Sequence, residues 1–254
     1  QRKVKKGFRV YYRTIKAAFN KAKDWGYAKE NYFQKVKLPK KQQVNPVFLN
    51  SDQLLVICDH LKNETIKDIV VFAFYTGMRL DEIVNLRLKN VDLQNKVITV
   101  GDDCFTTKGR NQRFIPISDE ALTSILSQRE RKKVIPINKA YLFCKDDGNR
   151  FTGDYISKKF KLACKTAGAD QSIHFHSLRH SFASNLVQKG VPLYTIKELL
   201  GHSSISTTEI YSHLNMDTLR DAIKKLDSPH PDPLPKGEGE KRLQIFSINS
   251  GEKR

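Results

Sequence analysis

Residues 174–211 read HFHSLRHSFASNLVQKGVPLYTIKELLGHSSISTTEIY. His176 and Arg179 lie three apart, where a helix stacks them on one face. A Leu199-Leu200-Gly201-His202 stop follows, and Tyr211 sits nine positions beyond that histidine. Two imidazoles, a guanidinium and a phenol in so short a span suit phosphoryl transfer. The guanidinium binds phosphate oxygens in bidentate geometry, the imidazoles move protons, and the phenol can attack phosphorus.

Upstream, the chain reads as helices broken once by a small sheet. Asn50 and Gln53 form a capping-box pair before an apolar face of Leu54, Leu55, Ile57, Cys58 and Leu61, with Leu49 and Leu54 as a staple. A helix over about 66–75 is apolar nearly all round and is expected at the centre. Gly77 breaks it, and Arg79 opens TGMRLDEIVNL with Glu82 one helical step away to fix its guanidinium. By residue type alone that pair reads as a capping ion pair. Residues 97–100 and 113–117 alternate as strands around turns at 101–103 and 106–109. Further helices are predicted over 119–131, 155–167, 176–189, 193–200 and 216–226, with a short strand at 141–144 and a short segment at 207–211.

The chain has 254 residues and a formal net charge of +18, with a pI near 9.7. That excess favours a nucleic-acid partner over a membrane. No apolar run or signal-peptide pattern argues for membrane insertion, so a cytoplasmic location is expected. Residues 1–41 hold fourteen Lys or Arg against Asp24 and Glu30, a net +12, on a segment with helical spacing. We read this end as a DNA-backbone contact, with Trp25, Tyr27, Tyr32 and Phe33 closing a small apolar patch. Cys58, Cys104, Cys144 and Cys164 form no Cys-x-x-Cys pair and read as buried free thiols. Opening on Gln1 inside a basic run, the sequence reads as a fragment or processed chain. After Asp227 a Pro-, Gly- and Glu-rich composition predicts a disordered tail.

The pieces HSLRHSFA, LLGH and EIY, with TGMR-x-x-E-I upstream, resemble the signature of the tyrosine recombinases, the phage integrase family. The resemblance covers about residues 8–227. It implies a mainly α fold with a small antiparallel β-sheet. Residues 1–44 would be the end of a helical (SAM-like) core-binding domain plus a linker, 45–227 the catalytic domain, and 228–254 the tail. It implies site-specific cutting and rejoining of double-stranded DNA through a 3′-phosphotyrosyl link, with no metal, ATP or other cofactor. The expected assembly is a homotetramer on paired DNA sites, weak or monomeric without DNA. Tyr211 is the implied nucleophile. Arg79 and Arg179 would hold the phosphate, His176 would take the tyrosine proton, His202 would donate to a phosphate oxygen, and Glu82 would orient its neighbours. The family's T-K-x-x-x-x-R-x-[IV]-P pattern puts the proton-donating lysine at Lys108, with Arg110 and Arg113 as rivals. His180 falls where the family pattern resembles a packing position.

Taken singly, each of these residues has a bland reading: a core histidine, a buried aromatic, an ion-pair partner. Three other readings remain. One is a catalytically silent DNA-binding protein of the same fold, and another is a type IB topoisomerase. The third takes His174-Phe175-His176 as the metal-binding strand of an HUH nuclease, which requires a strand and a divalent ion.

Overall fold

The computed structural model describes residues 7–39, 46–101, 112–131 and 140–214. The chain divides into two compact units, Gln1–Asn45 and Pro46–Arg254. Most of the linker expected at 40–46, the hairpin tip with Lys108, Cys104, the helix over 216–226 and the tail over 228–254 lie outside the described residues.

In the first unit, α1 (Phe8–Asp24) fully buries no residue. Polar bonds fold the following 3-10 turn, Tyr32–Lys35, back onto it. The buried Asn31 amide donates to the Lys16 carbonyl (2.9 Å) and to Asn20 Oδ1 (2.7 Å), and the Tyr12 hydroxyl donates to the Phe33 carbonyl (2.5 Å). The expected aromatic patch forms only in part. Phe33 packs on Phe19 at 4.9 Å between ring centroids, whereas Trp25, Tyr27 and Tyr32 are exposed. A unit this small has too little apolar material to cover four large rings.

The second unit starts with α2 (Ser51–Asp59). The capping box forms as expected: Gln53 N donates to Asn50 Oδ1 (2.8 Å) and Asn50 N to Gln53 Oε1 (3.0 Å). Helix α3 (Glu64–Thr76) buries Ile66, Ile69, Val70, Phe72, Ala73, Phe74 and Thr76, and it packs against α5 (Asp119–Arg131) and α7 (Phe175–Gln188). A helix apolar on most sides has only the centre of the unit to occupy. Short α4 (Leu80–Asn85) leads to an antiparallel sheet in the order β1 (Val91–Asp92), β2 (Val97–Val100), β3 (Arg113–Pro116). Ile98 pairs with Ile115, so both point into the core, while Phe114 on the alternate face is exposed. The expected strand at 141–144 is absent: Tyr141 and Cys144 make only isolated bridges, to Arg87 and Arg150. The two bridges join different segments of the chain, so they do not extend into one strand pairing.

Helix α6 (Gly153–Thr166) comes next, followed by α7, α8 (Leu193–Leu200) and two 3-10 segments, Ile205–Thr207 and Glu209–Leu214. A satellite cluster of Ala183, Val187, Ile196, Leu200 and Tyr211 forms beside the main core. Cys58, Cys144 and Cys164 are buried free thiols, and burial pushes Cys58 and Cys164 up to about 11. Among the described residues, no helix is long and apolar enough to cross a membrane.

Candidate active site

Two helix ends build one side of the site. Gly77 closes α3 in the left-handed region (φ 63°), and a Cβ there would stand 2.4 Å from the Phe182 ring. Gly201 closes α8 in the same way (φ 66°), and its Cβ would meet Arg113 Cδ at 2.9 Å. Only glycine combines that backbone with so close an approach. The carbonyls freed at these ends are met by guanidinium groups. Arg179, 3% exposed on α7, donates from Nη1 to the Gly77 carbonyl (2.7 Å) and from Nη2 to the Leu200 carbonyl (2.6 Å). Arg79 Nη2 reaches the Gly201 carbonyl at 3.4 Å. A helix C-terminus carries partial negative charge, which favours cations there.

Glu82 ties this side together. Its carboxylate accepts from Arg79 N (2.9 Å) and Arg79 Nη1 (3.0 Å). It also accepts from Arg113 Nη1 (3.0 Å) and Arg113 Nη2 (2.6 Å). These four bonds match the acceptor capacity of an ionised carboxylate. Burial works to raise the Glu82 pKa, but the bond and charge of Arg113, helped by Arg79, hold it below the usual carboxylate range. Arg113 also donates from Nε to the Leu199 carbonyl (3.1 Å), so all three of its nitrogens are engaged. Arg113, named above as a rival to Lys108, braces β3 against α4 and α8 through these bonds. Arg179 is drawn down to about 9 by burial and then by the charge of Arg79, and it remains cationic at pH 7.

Histidines and the tyrosine make the other side. His176, His180 and Arg179 project from neighbouring turns of α7. The His176 and His180 rings meet edge to face at 4.9 Å between centroids. The His180 ring contacts Tyr211, with Nδ1 2.5 Å from the hydroxyl. His202 Nδ1 lies 2.9 Å from Thr208 Oγ1. Burial lowers His180 and His202 to about 4, with charged neighbours adding to the shift. His176 is exposed, yet partial desolvation and then the charge of Arg179 lower it too. Tyr211 is 1% exposed, and burial pushes its phenol up to about 12 against the opposing pull of Arg179.

The structure therefore gathers Arg79, Glu82, His176, Arg179, His202 and Tyr211 around the ends of α3, α7 and α8. Lys108 lies outside the described residues. His180, read as a packing residue, is the side chain that touches the Tyr211 hydroxyl; its i, i+4 spacing from His176 was the available signal. The strand required by the HUH reading does not form, because His174 precedes α7 and His176 lies within it. Their rings stack 6.4 Å apart. Among the described residues, no group of three or more His, Cys, Asp or Glu could hold a metal ion.

The sequence pattern of the phage integrase family matches residues 47–218. A tyrosine recombinase of Thermosipho africanus is 29% identical over 220 residues, covering 85% of this chain and 74% of that protein. Tyrosine recombinase XerD of Lacticaseibacillus casei is 34% identical over 198 residues, covering 75% of this chain and 66% of that protein. Among solved structures, XerA recombinase is 27% identical with a TM-score of 0.57, covering 86% of this chain and 76% of that one. The Tn1549 transposon integrase in complex with transposon right end DNA has a TM-score of 0.74 at 22% identity, covering 88% and 80%. This second likeness concerns the fold.

Proposed function

The chain belongs to the phage integrase family of tyrosine recombinases, and on that premise we propose that it cuts and rejoins double-stranded DNA at specific sites, with Tyr211 as the nucleophile. The observation that carries this reading is the convergence of Arg79 and Arg179 on the carbonyl end of α8, with Tyr211 against the same helix. Each guanidinium uses only part of its five N–H donors in these bonds, which leaves donors for two non-bridging phosphate oxygens. The Tyr211 oxygen attacks phosphorus, and its proton passes to His176. The bond to the 5′-oxygen breaks, and Lys108 protonates the departing oxygen, which leaves as a hydroxyl. His202 donates to a phosphate oxygen. Attack by a partner strand's 5′-hydroxyl on the phosphotyrosine reverses the steps and reseals the DNA. The ester retains the bond energy, so no ATP is consumed.

Arg79 and Arg179 supply positive charge to the phosphoryl oxygens in the pentacovalent state, fixed in advance by Glu82 and the two helix ends. Cleavage is therefore expected to proceed in excess EDTA. Two paired DNA sites call for four copies of the chain. The net +12 of residues 1–41 supports a DNA partner, as does a likeness at 25% identity and a TM-score of 0.57 to the XerH site-specific recombinase, solved bound to its palindromic substrate.

A nicked suicide substrate tests the assignment. Wild type accumulates a covalent protein–DNA adduct, and Tyr211→Phe binds the same DNA but forms none. An adduct on the Phe variant removes Tyr211 from the role. A wild type that forms no adduct on any cognate site favours the silent DNA-binding reading.

A further inference from the structure

The scheme above gives His180 no task, although it is the side chain that holds the Tyr211 hydroxyl. The contact joins positions 31 residues apart and ties Glu209–Leu214 to α7. Two features make that tie matter. The segment carrying Tyr211 is a short 3-10 turn, whose hydrogen-bond geometry is poorer than that of an α-helix. The apolar cluster beneath it has few buried members, namely Ala183, Val187, Ile196, Leu200 and Tyr211 itself. Apolar packing, with Phe182, Leu186, Val191, Leu193 and Leu214 around that cluster, buries the ring, and the polar bond adds the directional tie on the hydroxyl. In this pose Tyr211 is 1% exposed, and its hydroxyl is directed at an imidazole rather than at an incoming phosphate.

We propose that His180 is a positioning residue whose Nδ1 holds the Tyr211 hydroxyl in a buried resting pose, a bond that DNA binding must break before Tyr211 can face the scissile phosphate. This rests on the reading of Tyr211 as the nucleophile. The bond holds rather than activates. With His180 lowered to about 4 and Tyr211 raised to about 12, both are neutral at pH 7; the proposal places the imidazole proton on Nε2, so that the phenol donates and Nδ1 accepts. A proton does not leave a phenol for so weak a base. Breaking the bond and exposing the phenol lets its pKa fall toward the ordinary value and brings it to the guanidinium side, where negative charge is stabilised.

The test uses the full chain without DNA. Tyr211 nitration by tetranitromethane is followed by peptide mass spectrometry, with exposed Tyr155 and Tyr194 as internal references. His180→Ala is expected to raise the Tyr211 rate by about fivefold, the factor one neutral hydrogen bond is worth, and to leave both references unchanged. His180→Asn, whose Oδ1 can accept from the phenol as Nδ1 does, is expected to restore protection. If circular dichroism shows His180→Ala to be unfolded, His180→Leu removes the acceptor while keeping bulk. Unchanged nitration in a folded variant lacking the acceptor overturns the proposal, and so does failure of His180→Asn to protect. On saturating nicked DNA, the variant lacking the acceptor is expected to form adduct at least as fast as wild type. A fall of about a hundredfold would mean that His180 takes the phenol proton, and would also overturn the proposal. If wild type forms no adduct, the nucleophile assignment fails, while the nitration series still decides the His180–Tyr211 bond.

Discussion

On one side of the site, Glu82 accepts four hydrogen bonds from Arg79 and Arg113, and Arg179 donates to carbonyls at the ends of two helices. On the other side, Tyr211 rides on a 3-10 segment, and among the described residues its hydroxyl has one side-chain bond, to His180, and His202 one to Thr208. The first half is finished before any substrate arrives, and charge stabilisation gains most from groups that need no reorganisation during reaction. The tyrosine side has fewer polar ties, which fits the release of Tyr211 proposed above. Fixing the tyrosine as firmly as the arginines would leave it buried.

Glu82→Ala attacks the firm side at its centre. It leaves two guanidinium groups without their carboxylate, and breaking a buried ion pair in this way costs about 3–5 kcal/mol. Tyr211→Phe removes one neutral bond from the other side and is expected to cost about 1 kcal/mol. Urea unfolding of both variants measures the contrast, and equal losses would erase the distinction between the halves. Gly201→Ala has the next largest effect. The left-handed backbone and the approach to Arg113 Cδ predict a loss of about 1–3 kcal/mol, with lower adduct yield, because the Cβ pushes on the brace itself.

Much of this was legible in the sequence. Arg79 and Glu82 one helical step apart, and His176 and Arg179 three apart, are local patterns that the helix period turns into shared faces. The two glycines announce helix ends. What remained hidden is long-range. Arg113 meets Glu82, and His180 meets Tyr211, each across 31 residues, and periodicity carries no information about such pairs. The apolar run at 141–144 likewise read as a strand, because an apolar pattern cannot say whether a partner strand exists. The exposed aromatics of the first unit show the same limit for burial.

Acidification separates the halves more gently. His180 and His202 have folded pKa values near 4, below the ordinary 6.5. Their contribution to stability is full above pH 6.5 and is lost as pH falls toward 4. The bonds and charge of Arg113 hold Glu82 below its ordinary 4.5, so its ion pairs give way later in an acid titration than an unperturbed carboxylate's would. Imidazole and arginine side-chain NMR signals are therefore expected to shift on the tyrosine side first, with the Arg113–Glu82 bonds persisting. Simultaneous loss of both would contradict the ordering. The smallest effect on the site itself comes from deleting residues 1–41. Loss of their +12 should weaken DNA binding and flatten the slope of log K against log salt by about 0.9 for each lost phosphate contact, while the Glu82 cluster is untouched. An unchanged slope would mean that those lysines are only solvated.

Native-state amide hydrogen exchange on the DNA-free chain tests the central contrast most directly. The Tyr211 and Thr208 amides, bonded to the Thr208 and Ile205 carbonyls, report on the tyrosine side; the Ile83 amide, bonded to the Arg79 carbonyl, and the Gly77 amide, bonded to Ala73, report on the arginine side. Local opening energies within one domain range from near zero up to the global value, so the first pair is expected to exchange at least about a hundredfold faster than the second. Equal protection of the two pairs, or slower exchange at Tyr211, would contradict a prebuilt arginine side and a releasable nucleophile.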